Sequence, residues 1–344
     1  MEFRPIRVVH YGLGAIGTDV ARIIANQPSL RIVGAIDHDQ HKVGRDVGEV
    51  IGLNRTLDAP VSNNAMELLT QTHPDVVVHA TTSFFHGVYS QIRECIQARA
   101  NVISTCEELV YPYASAAVLA AELNRLAVLS GVTVLGAGVN PGFVMDLLPL
   151  VLTAPCIDIN RINVTRVVDA TNGRPHLQQR IGAGLSTDQF RSHVASGVVR
   201  HVGLNESIHM LADGLNLRIE RFTESIDPII ANDWIRAPHV LVAPGQVAGI
   251  RQVAQAWFHG RDMLTLTWQT SVGATETYDS IHIDATPPVD VVIRGGLHGD
   301  QAAAALLVHA IPRLLNAAPG LTTVLELPPI HYQPRPHMIL SQTS

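Results

Sequence analysis

Three groups of residues in this 344-residue chain have types and spacings suited to chemistry. The first is Gly12-Leu13-Gly14-Ala15-Ile16-Gly17, a G-x-G-x-x-G run between an apolar stretch and a helix-forming one. In that setting Gly12 permits a tight turn and Gly14 lets backbone approach a pyrophosphate. Gly17 packs helix on strand, while the helix N-terminus offers N–H donors and partial positive charge to the phosphates. Asp37 follows 20 residues after Gly17, where a carboxylate accepts hydrogen bonds from an adenine-ribose 2′-OH and favours NAD. His38, His41, Lys42 and Arg45 come next and could screen or bind a 2′-phosphate, so the expected cofactor is NAD(P) with its selectivity open.

The second group is Cys106-Glu107-Glu108, read as a loop after a buried strand and expected to face the nicotinamide. A carboxylate there suits a cationic substrate. Hydride leaves a C–N bond only from the neutral amine, so a base must first take the ammonium proton. The iminium formed is cationic and is stabilised by nearby negative charge, and the same carboxylate can activate water as general base. An alkoxide intermediate would be mismatched to that charge. The third group is two loops expected at the same sheet edge. Thr81 and Thr82 could flank the cofactor, and Gly138-Val139-Asn140-Pro141-Gly142-Phe143 contributes Asn140 toward the cofactor and Phe143, with Met145 beyond it, toward substrate.

Composition narrows the alternatives. Lys42 is the sole lysine, and arginine cannot act as an ordinary acid, base or amine nucleophile. The 17 histidines form no H-E-x-x-H motif, and the three cysteines form no C-x-x-C pair, so no metal site is expected. A thiol role for Cys106 is conceivable but secondary. Ser186 lacks the glycine that would follow it in a nucleophile elbow, and Ser186 or Thr187 is expected to cap a helix. With 47% hydrophobic and 16% charged residues and a net charge of −6, the chain suits large cores rather than disorder, nucleic-acid binding or anionic membranes. No apolar run approaches the roughly 20 residues of a membrane span, and the N-terminus lacks a signal-peptide layout. The expectation is a cytoplasmic protein.

The elements that must position these groups alternate over the first 140 residues or so. Strands are expected at 6–11, 31–37, 76–80, 101–105 and 132–135, with helices at 15–26, 65–72, 88–98 and 114–129. Such alternation implies parallel βαβ units and an α/β doubly wound Rossmann domain. Beyond Phe143, strands at 160–168, 263–272, 280–285 and 289–294 and helices near 187–195 and 206–211 read as an α+β domain on a mostly antiparallel sheet. A helix over 302–315, interrupted near Pro312, precedes an aperiodic tail beyond Ile330. The expected organisation is a nucleotide domain (1–142), a substrate and dimerisation domain (143–297), a C-terminal helical segment (298–330) and a tail (331–344).

Taken with Tyr11 before the glycine run, the segments Ile103-Ser104-Thr105-Cys106-Glu107-Glu108-Leu109 and Gly138-Val139-Asn140-Pro141-Gly142-Phe143 resemble the 2,4-diaminopentanoate dehydrogenase and native amine dehydrogenase group, often placed with dihydrodipicolinate reductases. Gly245-Gln246-Val247-Ala248-Gly249-Ile250 and His298-Gly299-Asp300 extend the resemblance over nearly the whole chain. The resemblance implies a homodimer whose second domain forms the dimer contact and the substrate pocket, and a C-terminal helix returning to the first domain. It also implies NAD(P)-dependent oxidative deamination of a primary amine, or reductive amination of a ketone or aldehyde with ammonia. The acid/base then falls on the glutamate pair, with Glu108 favoured over Glu107. Related sugar-type oxidoreductases carry Glu-Lys-Pro after the fifth strand, and dihydrodipicolinate reductases carry a catalytic lysine in the second domain; this chain has neither. Two other readings stay open: a lysine-independent imine or carbonyl reductase, and a non-catalytic nucleotide sensor.

Overall fold

A computed structural model describes residues 4–333, which form two units, residues 4–142 with 298–333, and Phe143–Leu297. The sequence expectation for the tail falls largely on residues 334–344, outside the described residues.

The first unit opens with β1 (Ile6–Tyr11), α1 (Ala15–Ala25), β2 (Leu30–Ile36) and α2 (Val47–Val50). Next come β3 (Val61–Ser62), α3 (Ala65–Thr72), β4 (Val76–His79) and α4 (Phe85–Gln97). The run closes with β5 (Asn101–Ser104), α5 (Glu107–Val110), α6 (Ala117–Ser130) and β6 (Thr133–Gly136). Strands such as Val-Val-Val-His at β4 are buried along their whole length because helices cover both faces of a parallel sheet. Val9, Val77, Phe85, Ile92 and Leu123 are among the residues that fill its core.

The second unit begins with α7 (Leu147–Leu152), β7 (Asp158–Asp169), α8 (Pro175–Arg180), α9 (Thr187–Ala195) and α10 (Leu204–Gly214). It continues through β8 (Arg221–Ile230), β9 (Ile235–Arg236), β10 (Leu241–Val242) and β11 (Val247–Phe258). It ends with β12 (Arg261–Ser271), β13 (Tyr278–Thr286) and β14 (Val289–Arg294). The chain then returns to the first unit as α11 (Gly299–Leu314) and β15 (Gly320–Thr322).

Seven parallel strands in the order β3-β2-β1-β4-β5-β6-β15 make the first sheet. Strand order reverses between β1 and β4, and Tyr11 stands level with both Ile36 and His79. The crevice at such a switch point, outside the carboxyl ends of the strands, is where open α/β sheets bind ligands. The second sheet runs β14-β13-β7-β12-β11-β8, antiparallel except for the β7–β12 pair. A buried ion pair braces it: Arg166 on β7 donates to Asp279 on β13 at 2.8 Å, both within 3% of full burial. Asp279 also accepts the Leu297 N–H at 2.7 Å, and Arg166 donates to the Leu297 carbonyl.

Several elements depart from the sequence reading. The short edge strands β3 and β15, and the long β8 and β11, were not anticipated. β8 carries Pro228 and an exposed charged run, and β11 holds Gly249, where a Cβ would stand 2.0 Å from the Thr270 carbonyl oxygen. α4 starts at Phe85, three residues early, because Glu108 caps its first turn from outside. Pro312 does not interrupt α11; it sits in the last turn, where the chain forgoes one backbone hydrogen bond but little helix remains beyond it to be broken. Ser186 does cap α9, in a reciprocal capping box with Gln189.

Candidate active site

The glycine turn lies at the switch point. Gly12 has φ +94°, and a Cβ there would meet the Ala80 carbonyl oxygen at 2.4 Å. A Cβ at Gly17 would stand 2.0 Å from the Gly12 carbonyl oxygen, so α1 packs directly on the turn. Gly14 differs: beyond its two chain neighbours, no atom lies within 4 Å of where its Cβ would be. It is the N-cap of α1, and no side chain caps that helix. The backbone of Gly14, Ala15 and Ile16 thus presents an open N–H-bearing surface, which fits a dinucleotide pyrophosphate. Leu13 is buried and contributes through its backbone.

Asp37 and Lys42 are tied to this turn. Asp37 Oδ2 accepts the Leu13 N–H at 2.8 Å and Lys42 Nζ at 3.1 Å, while Oδ1 accepts the Asp39 N–H at 2.9 Å. Burial pushes the Asp37 carboxyl up, but the backbone donors and the Lys42 ammonium outweigh it and hold the group below the usual range. Lys42 Nζ also donates to the Leu13 carbonyl at 3.1 Å and lies 3.5 Å from Asp39. The ammonium therefore serves the turn; His38, His41 and Arg45 are the exposed basic side chains beside it.

The glutamate pair sits on the first turn of α5, with Cys106 as N-cap, not on a loop. Both side chains are half-buried. The Glu108 N–H donates to the Ser83 carbonyl at 3.2 Å, and Glu108 Oε2 accepts the Phe85 N–H at 2.8 Å. No residue of α4's own N-terminus caps it, so this carboxylate faces the positive end of α4. The geometry thus brings Glu108 together with the Thr81, Thr82 and Ser83 turn; Thr81 and Thr82 are exposed. Cys106 is fully buried, and burial pushes its thiol up, which removes it as a thiolate nucleophile. Asn140 is half-buried after β6 in the first unit. Phe143 and Met145 belong to the second unit, where Phe143 is half-buried and Met145, contrary to the reading of it as a pocket liner, is fully buried in the core.

Sequence reasoning missed a buried polar network under this edge. His79 on β4 has Nδ1 2.9 Å from Ser104 Oγ and Nε2 2.8 Å from Gln91 Oε1. Burial pushes both His79 and its neighbour His10, on β1, down to about 4. The signal was available: each is a titratable side chain that directly follows an apolar run of a strand, Val8-Val9 before His10 and Val76-Val77-Val78 before His79. Among the described residues no cluster of three or more His, Cys, Asp or Glu side chains could hold a metal, and no helix is long and apolar enough to cross a membrane.

Comparison with known proteins places this geometry in a family. Residues 143–336 match the 2,4-diaminopentanoate dehydrogenase C-terminal domain, and residues 6–106 match the N-terminus of dihydrodipicolinate reductase. A 2,4-diaminopentanoate dehydrogenase from Acetoanaerobium sticklandii is 31% identical over 94% of this chain and 93% of its own. An amine dehydrogenase from Streptomyces virginiae is 24% identical over 94% of this chain and 96% of its own. The solved amine dehydrogenase of Mycobacterium smegmatis superposes with a TM-score of 0.86 at 27% identity, covering 96% of this chain and 98% of that one. With the open glycine turn at the switch point and a carboxylate pair one strand away, the chain belongs to the 2,4-diaminopentanoate dehydrogenase family of NAD(P)-dependent oxidoreductases.

Proposed function

We propose that this protein is an amine dehydrogenase, R₂CH–NH₃⁺ + NAD(P)⁺ + H₂O giving R₂C=O + NH₄⁺ + NAD(P)H + H⁺, with Glu108 as acid/base and Glu107 beside it. The observation that carries the reading is the half-buried Glu108, its carboxylate fixed by the Phe85 N–H and its own N–H bonded to the Ser83 carbonyl of the Thr81–Ser83 turn, in a chain whose single lysine is tied to the glycine turn. Gly12, Leu13, Gly14, Ala15, Ile16 and Gly17 would hold the pyrophosphate. Asp37, His38 and Lys42 would lie toward the adenosine, and Thr81, Thr82 and Asn140 toward the nicotinamide; Cys106, fully buried in the core, would support the Glu107–Glu108 turn from beneath and not touch the cofactor. Bound NAD(P) supplies a hydride acceptor.

The protein's own part is charge and proton handling. Glu108 Oε2 accepts the Phe85 N–H, which fixes the carboxylate and leaves Oε1 to take the ammonium proton. Once that proton has passed on to solvent, the released H⁺ of the overall reaction, the neutral amine lone pair expels hydride and the carboxylate, anionic again, stabilises the iminium. The same group deprotonates the attacking water and returns the proton to departing ammonia. Glu108→Gln keeps one carboxamide oxygen to accept the Phe85 N–H but removes charge and basicity. NADH binding should persist while amine-dependent turnover falls at least about a hundredfold; turnover retained within a few-fold rejects the assignment. The reading includes a homodimer, tested by sedimentation velocity, and primary amine substrates with a ketone or aldehyde and ammonia as products.

A further inference from the structure

The buried network beneath the Thr81 turn contains more than packing. Gln91 Oε1 is a carbonyl oxygen and only accepts, so the His79 Nε2 at 2.8 Å must carry the imidazole proton. Burial keeps that ring neutral at pH 7, so it has one N–H and Nδ1 is a bare lone pair. Ser104 Oγ, 2.9 Å away, therefore donates its proton to Nδ1 and uses a lone pair to accept the Cys106 N–H at 3.1 Å. At the other end, Thr81 Oγ1 lies 2.9 Å from Gln91 Oε1 and 3.2 Å from Nε2. Nε2 has no lone pair to offer, so the single Thr81 hydroxyl proton goes to Gln91.

Every proton in the chain Cys106–Ser104–His79–Gln91–Thr81 is then assigned, and the exposed side of Thr81 has only oxygen lone pairs left. Thr81 borders the glycine turn: its Cγ2 is 3.0 Å from where a Cβ on Gly12 would stand. We infer that His79 is a positioning residue that makes Thr81 an acceptor-only contact for an O–H or N–H donor of the bound dinucleotide, and that through Ser104 it fixes the backbone entering the Glu107–Glu108 turn. This stands on nucleotide binding and does not require the amine reading.

The test uses the full chain and NADH alone, with the dissociation constant read by fluorescence. Thr81→Val keeps the shape and loses the oxygen; Kd should rise about three- to tenfold. Thr81→Ser and Gln91→Glu both keep the acceptor, the second because a carboxylate accepts from Thr81 and His79 alike, and each should bind within about threefold of the parent. The second measurement is the His79 tautomer, from ¹⁵N NMR of the labelled wild-type protein, where the Nε2–H form is expected. An Nδ1–H tautomer overturns the inference, since it requires the Gln91 amide to face the network with its NH₂ group. Wild-type affinity in Thr81→Val, or loss in Thr81→Ser equal to that in Thr81→Val, overturns it too.

Discussion

Lowering the pH from 7 to 5 should destabilise the first unit by about 4 kcal/mol, and the sum comes from two residues. His10 and His79 are both fully buried in its parallel sheet, and desolvation holds each near 4 against an ordinary value of 6.5. The unfolded chain takes up a proton at each site as pH drops through 6.5, but the folded chain does not until about 4. Stability from each group is therefore complete above 6.5 and is lost progressively as pH falls toward 4. At pH 5 the loss is about 1.5 pH units at 1.36 kcal/mol per unit, or about 2 kcal/mol per histidine. All three tryptophans, Trp234, Trp257 and Trp268, belong to the second unit, so their fluorescence is the wrong readout. Hydrogen exchange of β1 and β4 amides, corrected for the intrinsic pH dependence and measured in the equilibrium regime, reports the first unit directly. His79→Gln should remove about half of the pH dependence. Exchange free energies that agree within about 1 kcal/mol at the two pH values would refute the reasoning, because a single ring held near 4 already gives a loss of about 2 kcal/mol, so neither ring could then be held there.

Two further predictions use the same geometry. Gly14→Ala adds a methyl where no protein atom beyond its two chain neighbours lies within 4 Å, so the fold should melt as before while NADH binding weakens at least about tenfold; Gly17→Ala, with its Cβ 2.0 Å from the Gly12 carbonyl, should lower the melting temperature as well. Asp279→Leu leaves the Arg166 guanidinium uncompensated inside the second unit and should cost about 3–5 kcal/mol in urea unfolding, with Arg166→Leu/Asp279→Leu recovering most of it.

The first unit was legible in the sequence because its information is local. Glycines, apolar strands and helix breakers alternate at βαβ spacing, and Asp37 stands where the ribose carboxylate of such units stands. What Asp37 does there was not legible, since its bonds to Leu13 and Lys42 depend on how β1 and β2 align. The same holds for Glu108, whose partner Phe85 lies 23 positions away. β8 and β11 escaped because their pairing is long-range, with Gly249 and Pro228 tolerated only against particular neighbours. Met145 follows an aromatic next to a presumed pocket, yet residue type cannot distinguish a pocket wall from core, and it is core. His79 stood out by type alone, but its meaning needed Ser104, Gln91 and Thr81 brought beside it.

The central claim is that an anionic side chain supports chemistry at a C–N bond. Its most direct test is NAD(P)H oxidation by the purified protein over a panel of ketones and aldehydes, with and without ammonium at fixed ionic strength. The account predicts turnover that requires ammonium, yields the primary amine and collapses in Glu108→Gln. Equal rates with and without ammonium, with an alcohol as product, would contradict it.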